Sequence, residues 1–497
     1  MSMQSWKRKW PITWCLALAI YLNCSTAVEA VPDESVVAVT GDPRVAAQRD
    51  DIQIICHRGA VEFAHENTLE AYRAAFELGA DGNEIDIRAT KDGVLVCFHD
   101  DMLDGLLEAF GDVSDYNLDE LRHFRFREPG PFGEYCRIPT LAEVFELHRQ
   151  YGGLMHLDIK RPNLDRPIAE LLTRMNLWDH VAYCNLENGG AILDDSRIRL
   201  CQYKAGLYPD HGDVFPDDIS EALQRPGGSG VIVDDPRGVA LALGRKFSKL
   251  SREPVSPISV APQQKHEKMP SEEELIAIVR DAGDWSRVAE SAAETAASAQ
   301  RIVARARAAE QLGMLQATSP ETFAALEERV RKRSLHKDWM YCGLDGAMAF
   351  RSLIRLQAPN SIELARFAVW RDDPALQPVV DPRWKSPRSW ADFRLKSVVF
   401  PALERFPGAA TEKLCRDYLA LSDEDARQIG PPQYEQAGKV LLVINPQTET
   451  AIELLRHRLK VVRGRAILVC LSHADEPWAR TALEKAAPHA LAYHINQ

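Results

Sequence analysis

The chain has 497 residues, 45% of them hydrophobic and 27% charged, with a formal net charge of −12. That balance describes globular material, long enough for two or three domains, and excludes a chain that is disordered throughout. A surface so acidic repels nucleic-acid backbones, so any phosphate group must be held by local cations or a metal.

Lys7, Arg8 and Lys9 precede an apolar run from Trp14 to Leu22, and Val28-Glu29-Ala30 offers a small-x-small cleavage site. Residues 1–30 read as a signal peptide, which predicts an exported protein, periplasmic or extracellular. The apolar run is short for a membrane span, and no later stretch approaches about 20 uninterrupted apolar residues, so no stable span is expected. Cys56, Cys97, Cys136, Cys184, Cys201, Cys342, Cys415 and Cys470 are widely spaced with no CxxC pair. That spacing fits buried thiols at least as well as disulfides.

Ile52 to Cys56 is a short apolar run that stops at His57-Arg58-Gly59, the pattern of a buried strand ending in a loop. Asn67-Thr68 can cap a helix carrying Leu69, Tyr72, Ala75, Phe76 and Leu78, closed by Gly79. Glu84 to Ile87 alternates like a strand, and Asp92-Gly93 supplies a turn before the run Val94 to Phe98 that delivers His99. Further strands are expected at Leu154 to Ile159, Val181 to Cys184, Ile198 to Tyr203 and Val231 to Val233, with helices at Thr140 to Arg149 and Arg166 to Asn176. This β/α rhythm implies a mainly parallel sheet of the α/β class, and a closed TIM-type barrel would gather the polar groups on its C-terminal rim.

Strand phase sharpens that geometry. Glu84 and Asp86 are two residues apart, as are His156, Asp158 and Lys160, so each set projects from one face. Buried carboxylates are expensive unless a cation compensates them, and an oxygen-rich trio of Glu84, Asp86 and Asp158 suits Mg2+ or Ca2+ better than a soft metal, with zinc as the alternative. Taken alone, the Glu84 and Asp86 pair could equally be a solvated strand edge. A lone histidine is more often a loop or core residue than a catalyst. His57 and His99, however, each follow an apolar run, so both should emerge at strand ends, where one takes a proton from an attacking hydroxyl and the other protonates the departing oxygen. Arg58 and Lys160 suit the holding of phosphate oxygens.

His57-Arg58-Gly59, Glu66-Asn67-Thr68, the Glu84-x-Asp86 pair, Thr90-Lys91-Asp92-Gly93, His99-Asp100 and Ile138-Pro139-Thr140-Leu141 occur in the order found in glycerophosphodiester phosphodiesterases. The chain resembles that family densely from Ile52 to Lys160 and more thinly to Gly244. The resemblance implies a TIM-type barrel over residues 50–245 that hydrolyses glycerophosphodiesters to glycerol 3-phosphate and an alcohol with a divalent cation. By position it implies His57 and His99 as the acid/base pair, Glu84, Asp86 and Asp158 as metal ligands, and Arg58 and Lys160 as phosphate-binding residues. In the family mechanism the substrate's own glycerol hydroxyl attacks phosphorus, and water opens the cyclic phosphate. Asp158 stands where the family commonly has Glu, and the stretch from Tyr203 to Gly230 leaves room for barely one β/α unit, so an abbreviated barrel is expected.

Residues 246–271 read as a linker rich in Pro, Ser, Gln and Lys. Long helices are expected over 272–335, including Ala289 to Ala309. A helical domain is expected over 336–497, with helices at Leu344 to Gln357, Ile362 to Trp370, Asp392 to Arg405 and Pro477 to Ala487. It resembles, weakly, a HEAT-type solenoid, a module that more often binds a protein partner than catalyses. Two alternative functions follow: an inactive exported binding protein, and a sphingomyelinase-D-like phospholipase, for which Leu103 to Phe110 would supply an apolar lid.

Overall fold

In a computed structural model, residues 42–45, 51–100, 102–127, 136–207, 212–251, 253–255, 270–281, 291–332, 334–337, 341–370, 387–404, 406–422 and 434–495 are described. The expected signal peptide and most of the expected linker, residues 256–269, lie outside the described residues. Six short strands make up the N-terminal half: β1 Gln53–Cys56, β2 Gly82–Ala89, β3 Leu95–Cys97, β4 Leu154–Ile159, β5 Val181–Cys184 and β6 Gly230–Val233. They form one sheet in the order β5-β4-β2-β1-β6, parallel along that path, with β3 antiparallel to β2 at its side.

Alternation decides which residues face the lumen. Ile85, Ile87, Met155, Leu157 and Ile159 join the outer core beneath the helices. Their neighbours Glu84, Asp86, His156 and Asp158 therefore point inward. Lower in the lumen Ile55, Leu154, Ala182 and Cys201 meet Val45 in an apolar floor.

The expected strand Ile198 to Tyr203 is reduced to a bridge between Tyr203 and Gly230, and a turn in which Asp195 Oδ1 accepts from Arg197 N at 2.9 Å immediately precedes it. What remains still closes the ring. Cys201 N donates to Ala182 O at 2.7 Å, Ser229 N to Gln202 O at 2.8 Å and Lys204 N to Gly230 O at 2.7 Å. The segment 201–204 thus joins β5 to β6, and the result is a TIM-type barrel abbreviated below the usual eight parallel strands.

Local chemistry sets the helix ends. Leu69–Glu77 starts at Thr68, whose side chain accepts from Ala71 N. Leu141–Tyr151 starts in a capping box of Thr140 and Glu143 and stops at left-handed Gly152. Caps of this kind are worth ~1 kcal/mol each. At Gly79, with φ +96°, an added Cβ would stand 2.9 Å from the Ala240 Cβ, so glycine is required by both backbone and neighbour.

From Glu272 onward the chain is all α among the described residues. Its helices are Glu272–Val279, Ala292–Met314, Pro320–Arg331, Leu344–Arg355, Ser361–Trp370, Pro387–Leu403, Ala409–Leu419, Tyr434–Ile444, Thr448–Leu455, Lys460–Ser472 and Pro477–Ala486. One core runs through them, with Leu312, Phe350, Phe400, Leu441 and Leu468 inside, and it also takes in Met102, Phe110 and Val214 from barrel loops. Residues 42–497 accordingly form one compact unit. Within the helices, Asp345 is fully buried and accepts from Arg305 Nε at 2.8 Å and Ser334 Oγ at 2.6 Å, with Arg329 Nη1 at 3.4 Å. Among the described residues no helix is long and apolar enough to cross a membrane.

Candidate active site

Because β1 lies beside β6 with Cys56 opposite Val233, the residues that follow each strand also meet. His57 N donates to Val233 O at 2.7 Å, and His57 Nδ1 lies 3.0 Å from Asp234 Oδ1. His99, just beyond β3, has the same kind of partner: its Nδ1 is 2.8 Å from Asp100 Oδ1. Arg88 fixes the backbone there by donating to His99 O at 2.6 Å. An ionised carboxylate only accepts, so each dyad favours the tautomer with the proton on Nδ1.

The register of β2 on β4 places Glu84 opposite His156 and Asp86 opposite Asp158. One carboxylate oxygen from each of Glu84, Asp86 and Asp158 lies within 4.8 Å of the others, so the trio could hold a metal ion. Asp86 is wholly buried and is gripped by Asn67 Nδ2 at 2.7 Å, Lys160 Nζ at 2.7 Å and Arg58 Nε at 3.5 Å. Burial alone would raise its carboxyl, but Lys160, His99 and Arg58 outweigh that and bring it to about 2. Glu84 goes the other way: burial, with Asp86 adding to it, pushes it well above the ordinary carboxylate range. Desolvation first and the neighbouring Asp86 second disfavour the charge on Glu84, and bound positive charge would favour it.

Arg58 takes a left-handed φ of +57°, which aims its backbone N at Glu84 Oε2, 3.1 Å away, while its Nη1 donates to Glu66 Oε1 at 3.1 Å. Burial would lower this guanidinium, but Glu66, Asp86 and Glu84 outweigh it and hold the charge on. Lys160 Nζ bridges Asp86 and Asp158 at 2.7 Å each. The structure therefore brings all seven expected residues, His57, Arg58, Glu84, Asp86, His99, Asp158 and Lys160, to the C-terminal rim of one barrel. The two cations lie against the acids rather than standing apart from them.

Several participants escaped the sequence reading. Asp234 follows the apolar run Val231 to Val233 as His57 follows its own, a signal that could have marked it. Asn67, with φ +56°, accepts from Tyr72 Oη at 2.6 Å and from Asp86 N at 3.1 Å, so it orients the acid next to it. His156 Nδ1 is 2.9 Å from Tyr203 Oη, and burial pushes the ring down to about 3. It is a neutral wall of the lumen rather than a proton carrier. Leu103 to Phe110 is no free lid, since Leu103 and Leu107 are buried in a barrel-side core and Phe110 in the helical one.

Fold and rim together define an α/β-barrel enzyme with its polar groups at the C-terminal ends of the strands. Residues 57–178 match the model of the glycerophosphoryl diester phosphodiesterase family. A glycerophosphodiester phosphodiesterase of Caldanaerobacter subterraneus is 37% identical over 172 residues, which cover 33% of this chain and 69% of the relative. One from Bacillus altitudinis is 32% identical over 152 residues, covering 28% of this chain and 60% of the relative. Among solved structures, an Oleispira antarctica phosphodiesterase in complex with sn-glycerol-3-phosphate aligns at 24% identity and a TM-score of 0.32, over 40% of this chain and 99% of that one. The chain belongs to the glycerophosphodiester phosphodiesterase family.

Proposed function

We propose that the protein hydrolyses glycerophosphodiesters to glycerol 3-phosphate and an alcohol, with His57 and His99 exchanging the protons and a divalent cation on Glu84, Asp86 and Asp158. The observation that carries this reading is the pairing of each histidine with its own carboxylate beside an acidic trio. One imidazole, set by Asp234 or Asp100, takes the proton from the substrate's attacking glycerol hydroxyl and the other gives one to the departing alkoxide; water then opens the resulting cyclic phosphate to glycerol 3-phosphate, with the two imidazoles exchanging roles. Arg58 and Lys160 lie where phosphate oxygens would draw on their charge as it builds in the transition state. The cation would polarise the phosphoryl group, and an all-oxygen donor set favours Mg2+ or Ca2+. The leader-like residues 1–30 support action outside the cytoplasm.

The test is release of glycerol 3-phosphate from glycerophosphocholine and related diesters by the purified protein, with defined metals and after chelation. Full activity after exhaustive chelation, or in His57→Ala, would sink the mechanism.

A further inference from the structure

The helical region meets the barrel at loops leaving the C-terminal ends of the strands. Arg465, on Lys460–Ser472, ion-pairs with Glu62 in the loop after His57. Arg394, on Pro387–Leu403, holds Asp104 Oδ2 at 2.8 Å in the loop after His99. Arg351, on Leu344–Arg355, donates to Asp104 O at 2.9 Å and reaches Gly105 O at 3.4 Å. These are not loose surface pairs: the side chains of Glu62 and Arg465 are 10% and 13% exposed, and those of Asp104 and Arg394 are 2% and 13%. Removing either partner would leave a nearly dry charge behind.

Each clamp is one step from a histidine dyad. The loop after His57 is drawn shut where Asn67 N donates to Arg58 O at 3.0 Å, and Glu62 lies within it. On the other side Gly105 is so close to the partner of His99 that a Cβ there would stand 2.8 Å from Asp100 Oδ2. Arg465 also acts electrostatically on Asp234, and Arg394 on Asp100.

We propose that Arg465 and Arg394 are positioning residues for the cleavage, through which the helical region fixes the two loops that carry the acid/base histidines. Arg465 works through Glu62, and Arg394 works through the Asp104-Gly105 turn on which the Asp100 carboxylate rests. This rests on the activity proposed above and assigns the helical half a part in it.

The experiment measures kcat, KM and the unfolding temperature on glycerophosphocholine for the full chain and for Arg465→Gln, Arg394→Gln, their Lys counterparts, Gly105→Ala and Arg416→Gln. Arg416 pairs with Glu412 and Glu453 inside the helical region and serves as the control. Both Gln variants should lose about tenfold or more in kcat with KM little changed, since small misplacement of reacting groups is costly. The Lys variants should recover most of it, and the control should match the parent. Gly105→Ala presses on Asp100 without touching an arginine and should reproduce the loss, so it decides the matter if a Gln variant does not fold. Parental kcat in the folded Gln variants and in Gly105→Ala, or an equal loss in the control, overturns the proposal. An inactive parent overturns the activity reading, and this proposal with it.

Discussion

Both halves of the molecule bury charge, and they do so differently. In the helical half Arg305, Arg329 and Ser334 converge on Asp345, each 3% exposed or less. Two cations meet the dry Asp345 there, and Asp281, 49% exposed, lies 3.8 Å from Arg305 at the edge of the cluster, so charge is balanced. At the barrel rim Glu66, Glu84, Asp86 and Asp158 outnumber Arg58 and Lys160, and the group opens to solvent through Asp158, 30% exposed, and His99, 32% exposed. A charge-balanced cluster built around a dry anion is a fixture of packing. An open one with surplus acid has room for a missing positive charge and for a substrate.

The sharpest way to break this contrast is Asp345→Ala, which should destabilise the protein by about 3–5 kcal/mol by removing the buried carboxylate that two guanidinium groups share. Denaturant melts would show it, while turnover by the protein still folded should be unchanged. His57→Ala should do the reverse, with melting preserved and turnover down by about a hundredfold, ~2.7 kcal/mol of transition-state energy. Asp234→Ala should come next, costing about tenfold in turnover because the carboxylate that holds the His57 ring in one tautomer is gone. A proton-exchange rate that ignores this substitution would show that Asp234 is merely structural.

The last effect concerns acid. Burial pushes His148 down to about 3 from its ordinary 6.5 while its Nδ1 bonds Val144 O at 2.8 Å. The unfolded chain binds this proton more readily than the folded one, so the stability His148 contributes is complete above about pH 6.5 and is lost progressively as pH falls toward 3. His148→Gln should flatten the melting temperature over that window, and an unchanged slope would reject the assignment.

Much of the rim was legible because β-strand period two is a strong constraint. Once Glu84-x-Asp86 and His156-x-Asp158-x-Lys160 were each given one face, the parallel register of β2 on β4 left little freedom in where the acids would meet. The dyad acids were harder. Asp100 was in view beside His99, yet adjacency in the chain does not say that two side chains touch. Asp234 is 177 residues from His57, and only ring closure brings them together. Helix boundaries fell within a few residues of expectation at 344–355, 361–370 and 477–486, where apolar periodicity is clear. The strand expected at Ile198 is only a bridge at Tyr203, following a turn at Asp195. Nothing in the spacing of Arg394 or Arg465 announces a partner in a barrel loop, since such contacts are set by how two halves dock.

The seam between the first strand and the last has a consequence for how the protein comes into being. The His57 dyad spans that seam, so the proposed proton chemistry is assembled only when the ring shuts, and a nascent chain ending before residue 234 lacks half of the dyad. Pairing across so long a stretch of sequence is slow to form. Catalysis and completion of the barrel should therefore arrive together during refolding, and the onset of turnover would time the closing of the ring.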